Sequence, residues 1–184
     1  MENIMFEEEL MYIKNEEVRN QCIEVLKRVP GDFYKNGASS TGKYHPDYAA
    51  GEGGLYRHTV AAVRIAQCMR ENTTVHNFTE LEFDYIICAL ILHDTCKCGK
   101  NWDSKYTKHG HPLMASELVR EMLGECEFCD NVCPLIESHM GQWTTCKYDK
   151  TELPIPETEG QMFVHMCDYL ASRRFIEINF DKEV

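Results

Sequence analysis

The chain has 184 residues, of which 43% are hydrophobic, which is enough for one well-buried domain but short for two. Its formal net charge of −11 argues against sequence-independent binding to duplex nucleic acid, which needs many Lys and Arg contacts to phosphate. No apolar run approaches membrane-spanning length, and the opening residues MENIMFEEELMY are acidic where a signal peptide would be basic. We therefore expect one cytoplasmic domain without a membrane partner.

The N-terminal part of the chain combines helical spacing with one long loop. Apolar residues recur at helical intervals between Phe6 and Val29, which predicts one or two helices stopped by the following Pro-Gly pair. Residues 31–54 are rich in Gly, Ser, Tyr and Pro and are predicted to form an ordered loop. The next helix is predicted over 54–72, with His58 near its first turn.

Two capping boxes mark the starts of further helices. The motifs 79-TELE-82 and 158-TEGQ-161 each place Thr three residues before Glu or Gln. The first precedes an apolar run and predicts a helix from about residue 80 to 93. The second predicts a helix from about residue 159 to 175.

Two helices are predicted between these capped ones. Pro112 suits the first turn of a helix, and Gly124 suits its C-terminal stop. Asp130 is expected to cap a short helix that carries His139 and ends at Gly141. The predicted fold class is therefore all-α.

The stretch 37-GASSTGKY-44 matches the spacing of a phosphate-binding loop. Tyr44 stands where such loops carry the Ser or Thr that binds magnesium, and no buried strand is predicted before the motif. We interpret the stretch as a turn-rich loop at the edge of a site.

Ten cysteines raise the alternatives of disulfides and of a zinc site. The chain is too large to need disulfides and shows no secretion signal, so we expect reduced thiols. Cys126, Cys129 and Cys133 form a C-x2-C-x3-C string that is compatible with a zinc site completed by Cys146. Their i, i+3, i+7 spacing also places them on one face of a helix as small core residues. We favour the core interpretation.

Six polar residues lie at or near the end or polar edge of a predicted helix, each beside apolar residues. They are His58, His93, Asp94, His111, His139 and Asp168. A helical bundle brings facing side chains together at its centre, and imidazole with carboxylate suits Mn, Fe, Co, Ni or Zn. The set supplies enough ligands for two divalent ions if one carboxylate bridges them.

The ordered motifs that contain these residues resemble those of the HD-domain metal-dependent phosphohydrolase superfamily. The motifs are 53-GGLYRHT-59, 92-LHDTCK-97, 110-GH-111, 138-SH-139 and 167-CDYLASR-173. The resemblance runs from about Tyr44 to Phe175 and is closest to the HD domain of YhaM-like 3′-5′ exoribonucleases. It implies a single helical HD domain over 1–184, with N-terminal helices and loop (1–43), a metal-binding core (44–175) and a C-terminal tail (176–184).

The resemblance also implies a role for each matching position. The first ion would be bound by His58, His93, Asp94 and Asp168. Asp94 would bridge to a second ion bound by His111 and His139, with His109 as an alternative to His111. Lys97 matches the lysine that faces the substrate phosphate, while Cys96 departs from the glycine common at its position.

Three activities are compatible with this set of residues. The first is hydrolysis of a phosphomonoester or phosphodiester by a water molecule activated between two ions. In this interpretation Asp94 and Lys97 are catalytic residues, and Lys100 and Arg173 contact the substrate. The expected partner is a nucleotide, cyclic nucleotide or short oligonucleotide. The others are an HD-type di-iron oxygenase acting on a phosphate- or phosphonate-bearing substrate, and a non-catalytic metal-containing binding module. The oligomeric state is left open.

Overall fold

A computed structural model describes residues 5–39, 45–72 and 74–174, and these residues form seven α-helices and no strand. The helices are α1 (Glu7–Leu10), α2 (Glu16–Leu26), α3 (Gly54–Met69), α4 (Glu80–Leu92), α5 (His111–Leu123), α6 (Glu127–Glu137) and α7 (Glu159–Ala171). Two short 3₁₀ turns, Gly31–Tyr34 and Asp47–Ala49, lie in the loop between α2 and α3. The all-α prediction is confirmed.

Helix α4 is the central element of the bundle. It packs against α2, α3, α6 and α7, and every residue from Phe83 to Leu92 is buried. A helix that is apolar all round is stable only when other elements cover every face. Because α4 is covered in this way, the chain that leaves its C-terminal end delivers His93 and Asp94 into the protein interior.

Both predicted capping boxes are present. The Thr79 and Thr158 side chains accept from the backbone of the third helical residue, and that residue's side chain accepts from the capping residue's N–H. Helix α5 has its proline in the first turn and is followed by Gly124, as predicted. Helix α3 ends at Met69, three residues before the predicted end.

The prediction for α6 is wrong in its boundaries. The helix begins at Glu127, so Asp130 lies in its first turn and its N–H donates to the Cys126 carbonyl at 3.0 Å. It ends at Glu137, and His139 lies in the turn that follows rather than in the helix. There the chain tightens, because the His139 N–H donates to a carbonyl three residues earlier instead of four.

Helix α3 begins at a pair of glycines, Gly53 and Gly54, and the second of them is required for steric reasons. A Cβ on Gly54 would lie 2.2 Å from the carbonyl oxygen of Ala49, so only glycine allows α3 to start against the 3₁₀ turn Asp47–Ala49. This contact sets the position of α3, and His58 follows one turn later.

Parts of two predicted features lie outside the described residues. These are positions 40–44 of the motif that resembles a phosphate-binding loop, and the segment 175–184. The described residues before that motif contain no strand, and Ala38 bonds to the Ala49 carbonyl at 3.0 Å in a loop arrangement. Among the helices described, none combines the length and apolarity needed to cross a membrane.

Candidate metal centre

The structure brings the six predicted histidines and aspartates together at one end of α4. His58 comes from α3 and Asp168 from α7, while the rest lie at helix ends or in adjoining turns. All four histidines and Asp94 are almost fully buried, and the Asp168 side chain is 19% exposed. Asp168 therefore lies where the cluster reaches solvent.

Asp94 lies between two groups of histidines. Its Oδ2 is 3.4 Å from His93 Nε2 and 3.8 Å from His58 Nε2. Its Oδ1 is 3.0 Å from His111 Nε2 and 4.0 Å from His139 Nε2. Each carboxylate oxygen thus faces a different group, which is the arrangement that a bridging ligand requires.

Asp168 completes the group around His58. Its Oδ1 lies 2.8 Å from His58 Nε2 and 3.4 Å from His93 Nε2. Three overlapping sets have ligand atoms within 4.8 Å of one another: His58, His93 and Asp94; His93, His139 and Asp168; and Asp94, His111 and His139. The overlap makes this one continuous cluster of donors.

Three of the histidines are held in a defined tautomer. His93, His111 and His139 each direct Nδ1 to the main-chain carbonyl three residues earlier, in every case at 2.7 Å. A carbonyl oxygen can only accept, so Nδ1 carries the hydrogen and Nε2 of the neutral ring keeps its lone pair. All three Nε2 atoms face the cluster.

The donor atoms fit a cation. His93 Nε2 and Asp94 Oδ1 are buried and make no hydrogen bond within the described parts of the chain. The Nε2 atoms of His111 and His139 lie 3.2 Å apart, so two lone pairs face each other unless a proton or a metal lies between them. Imidazole nitrogens with carboxylate oxygens are a donor set for Mn, Fe, Co, Ni or Zn.

Electrostatics keep the carboxylates charged despite burial. Burial alone raises the pKa of Asp94, but Lys97 and His93 outweigh it and hold that pKa well below its usual range. Burial lowers the pKa of His93, yet the Asp94 and Asp168 carboxylates raise it to about 10, so a metal bound at its Nε2 would displace a proton. Burial together with His93 and His111 lowers the pKa of His139 to about 3, which keeps it neutral.

The cluster opens into a cavity of about 500 Å³. Its walls include Asp94, Lys97, His111, His139 and Asp168. The Lys97 ammonium lies 2.5 Å from Asp94 Oδ2, and its side chain is 12% exposed. Lys97 therefore places a positive charge at the boundary between the buried donors and the cavity.

The same cavity has an aromatic wall. Trp143 stacks on Tyr169 with ring centroids 5.8 Å apart and planes 15° apart. The Arg173 guanidinium lies 4.2 Å from the centroid of the Tyr169 ring and bonds to the Ser172 hydroxyl. Arg173 thus lines the cavity, and its contact with substrate stays a prediction.

Two other residues considered from the sequence are not in the cluster. The Lys100 ammonium lies 2.7 Å from Glu117 and 2.8 Å from Glu121, both on α5, so its predicted substrate contact is not supported. His109 bonds through Nε2 to the Thr144 carbonyl at 3.1 Å, which leaves His111 as the histidine of that pair that faces Asp94.

His45 lines the cavity, although no sequence pattern singles it out. Its ring centroid is 5.2 Å from that of His58, and its Nδ1 is buried without a hydrogen bond in the described ranges. Burial, with a smaller effect of His58, lowers the pKa of His45 to about 3.

Ser172 also lines the cavity. Its position could have been inferred from the sequence, because it follows Asp168 by four residues and so lies on the same side of the helix.

The cysteines do not contribute to a metal cluster in the described residues. Every group of donors close enough to hold an ion consists of histidine and aspartate. Cys129 donates to the Gly124 carbonyl at 3.0 Å, and both Cys129 and Cys133 are buried. The zinc alternative is therefore not supported, and the core interpretation is.

Comparison with known proteins identifies the family. The family model described as the HD domain matches residues 55–173, well over half of the chain. Neither a curated protein nor a solved structure matches the chain. The match extends from the residue after the double glycine to Arg173. It identifies the HD domain but does not confirm the YhaM-like subgroup. The chain belongs to the HD-domain superfamily of metal-dependent phosphohydrolases.

Proposed function

We propose that the protein hydrolyses a phosphomonoester or phosphodiester of a nucleotide, cyclic nucleotide or short oligonucleotide, with two divalent metal ions. One observation carries this proposal: the two oxygens of Asp94 face separate groups of histidines, next to a cavity in which Lys97 lies. A single buried carboxylate whose two oxygens face separate groups of histidine nitrogens suits a pair of ions better than one.

The proposed ligands fall into two groups. One ion would be held by His58, His93, Asp94 and Asp168, and the other by Asp94, His111 and His139. When bound, such ions lower the pKa of a coordinated water and neutralise charge on phosphoryl oxygens. Two ions and few protein ligands also leave positions for substrate, in contrast to a closed structural site.

The chain itself pre-orients these ligands. The Nδ1 bonds of His93, His111 and His139 fix the direction of each ring, so little reorganisation is needed for Nε2 to bind. The low pKa of Asp94 keeps its carboxylate ionised at neutral pH. Burial of the group excludes bulk water and strengthens each electrostatic contact.

Lys97 is proposed to bind the substrate phosphate. An ammonium group has three N–H donors and no acceptor, so pairing with Asp94 leaves further donors for an oxyanion in the cavity. In a chain with a net charge of −11, a local positive charge is needed to hold an anionic substrate.

The aromatic wall supports a substrate with a planar ring. Trp143 remains 43% exposed while it lines the cavity, and its stacking on Tyr169 fixes its orientation. Bases stack on such side chains without requiring a particular sequence. A cavity of about 500 Å³ falls within the usual size of small-molecule sites.

A substrate screen tests this proposal. Nucleoside monophosphates, cyclic nucleotides and short RNA and DNA are incubated with the protein and Mn²⁺, Fe²⁺, Co²⁺, Ni²⁺ or Zn²⁺, and released phosphate or nucleoside is measured. We expect metal-dependent release that is absent in Asp94→Asn. Metal-loaded protein that hydrolyses none of these compounds would contradict the proposal, and substrate-dependent oxygen consumption with iron would favour an oxygenase instead.

A further inference from the structure

We propose that His165 is a positioning residue of the metal centre, which holds the main-chain carbonyl of His139 and so fixes the turn that presents this imidazole to Asp94. The inference rests on the proposed metal centre but not on the reaction that the centre performs. His165 belongs to none of the groups of potential metal donors in the described residues.

The observation that carries this inference is a hydrogen bond between α7 and the turn after α6. His165 Nδ1 lies 2.7 Å from the His139 carbonyl oxygen. Since that oxygen can only accept, Nδ1 is the donor. His139 lies beyond the last residue of α6, so the regular helix does not determine where its imidazole points.

Apart from the contact between the His139 and His111 rings, the other hydrogen bonds described for this turn are local. The N–H of His139 bonds to Ile136, the N–H of Gly141 bonds to Ser138, and the Ser138 hydroxyl bonds to Pro134. Each of them stays within the segment that follows or ends α6. The bond from His165 instead joins the turn to a different helix.

The turn also fits closely around the His165 ring. Gly141 has a φ of +63°, and a Cβ at this position would lie 2.2 to 2.6 Å from three atoms of the His165 ring. Only glycine permits both this backbone conformation and this close approach. The shape of the turn and the position of the ring are therefore matched.

His165 also connects the two proposed ligand groups. It lies on α7 three residues before Asp168, which is close to His58 and His93. Through the His139 carbonyl it reaches the group on the other side of Asp94. The hydrogen bond therefore joins the turn that carries His139 to the helix that carries Asp168.

Two substitutions separate this hydrogen bond from packing of the ring. His165 also contacts Trp143 and Tyr169, with ring centroids 6.0 Å from each. His165→Phe keeps an aromatic ring but removes the donor. His165→Asn removes the ring but keeps an N–H donor the same number of bonds from Cα as Nδ1.

The test is direct metal binding. Each full-length variant is stripped with a chelator and titrated with Mn²⁺ and with Zn²⁺ by calorimetry, and the metal retained after desalting is measured by elemental analysis. We expect His165→Phe to weaken binding about 10- to 100-fold, as loss of a hydrogen-bonded support for a ligand commonly does. We expect His165→Asn to bind metal nearly as the unmodified protein does.

A control variant separates positioning from general loss of stability. His76 is buried, bonds to the Met69 and Arg70 carbonyls at 3.1 and 3.0 Å, and does not line the cavity, so His76→Phe removes comparable bonds elsewhere. Its metal affinity should be unchanged even if its melting temperature falls. Unchanged affinity in His165→Phe, or equal losses in His165→Asn or His76→Phe, would overturn the inference. Because no substrate is present, these results are independent of whether the protein hydrolyses phosphoesters.

Discussion

The Nε2 atoms of His111 and His139 face each other across 3.2 Å, while Nδ1 of each ring is bonded to a main-chain carbonyl at 2.7 Å. The carbonyl bonds determine the tautomers, and the tautomers turn two lone pairs toward the same point. Such a contact is unfavourable unless a cation or a proton lies between the rings. Substitution of a histidine of this pair is therefore expected to have the clearest effect on metal binding.

We expect His111→Ala to lose the metal of the His111 group and to keep the metal of the His58 group. Asp94 retains its contacts with His58 and His93 in this variant, since those involve its other oxygen. Loss of one ion removes several kcal/mol of charge stabilisation, and about 4 kcal/mol corresponds to about a thousandfold in rate. Elemental analysis and turnover measure the two effects.

His109→Ala is the matched control for that experiment. His109 lies two residues earlier but bonds to the Thr144 carbonyl and not to the cluster. Its metal content should equal that of the unmodified protein. A loss of metal in His109→Ala with none in His111→Ala would exchange the roles of the two histidines.

Asp94→Ala is expected to release most of both ions and to abolish hydrolysis while the helices remain folded. The substitution removes the two oxygens that face the two groups, so neither group keeps its full set of donors. Bound metal and turnover are compared with the far-ultraviolet circular dichroism of the same sample. Full activity with no bound metal would contradict the proposed mechanism.

Lys97→Met and Lys100→Met are expected to differ sharply. Lys97 lines the cavity beside Asp94, so its loss should lower kcat/KM about 10- to 100-fold, the range of one to two charge-assisted hydrogen bonds. Lys100 is paired with Glu117 and Glu121 on α5, so its loss should leave kcat/KM nearly unchanged. Steady-state kinetics on one substrate compare them, and equal effects would show that Lys97 has no specific contact with phosphate.

Features encoded over a few neighbouring residues could be predicted from the sequence. The capping boxes at Thr79 and Thr158 depend on residues three apart, and both are present. The apolar run of α4 predicted a buried helix with His93 and Asp94 at its end. The order of the motifs was enough to indicate the family, because it combines several short patterns.

Features that depend on contacts between distant segments could not be predicted. The end of α6 is followed by a turn that fits around His165 from α7, so no local signal placed His139 outside the helix. The position of His45 in the cavity wall and the pairing of Lys100 with α5 likewise depend on how the helices pack. Spacing along the chain carries no information about such contacts.

The cysteine thiols provide a pH-dependent prediction. Burial raises the pKa of Cys129 to about 11 and that of Cys133 to about 12. A raised pKa reduces the reactive thiolate, so at pH 8 only about one molecule in a thousand carries it at Cys129. In folded protein, we expect an alkylating reagent to modify the exposed Cys68 first and to modify Cys129 about ten times faster for each pH unit up to about 10.

Peptide mass spectrometry measures the sites and rates of alkylation. Protein unfolded in urea is the control, in which all ten cysteines should react. A chelator should leave the rates at Cys129 and Cys133 unchanged in folded protein, since neither is a proposed ligand. Faster alkylation of these thiols after chelation would support a cysteine metal site and contradict the donor set described above.

Gly54→Ala should destabilise the protein by about 1 to 3 kcal/mol, the usual cost of inserting a methyl group where no space exists. The added Cβ would lie 2.2 Å from the Ala49 carbonyl oxygen, and a backbone atom cannot move aside as a flexible side chain can. Gly31→Ala is the matched control, because a Cβ there meets no atom within 4 Å. For a chain of this length each kcal/mol lowers the melting temperature by about 2 to 4 °C, which thermal unfolding resolves. Because α3 also carries His58, a shift of the start of this helix should weaken metal binding. Equal melting temperatures in both variants would show that Gly54 is not needed to position α3.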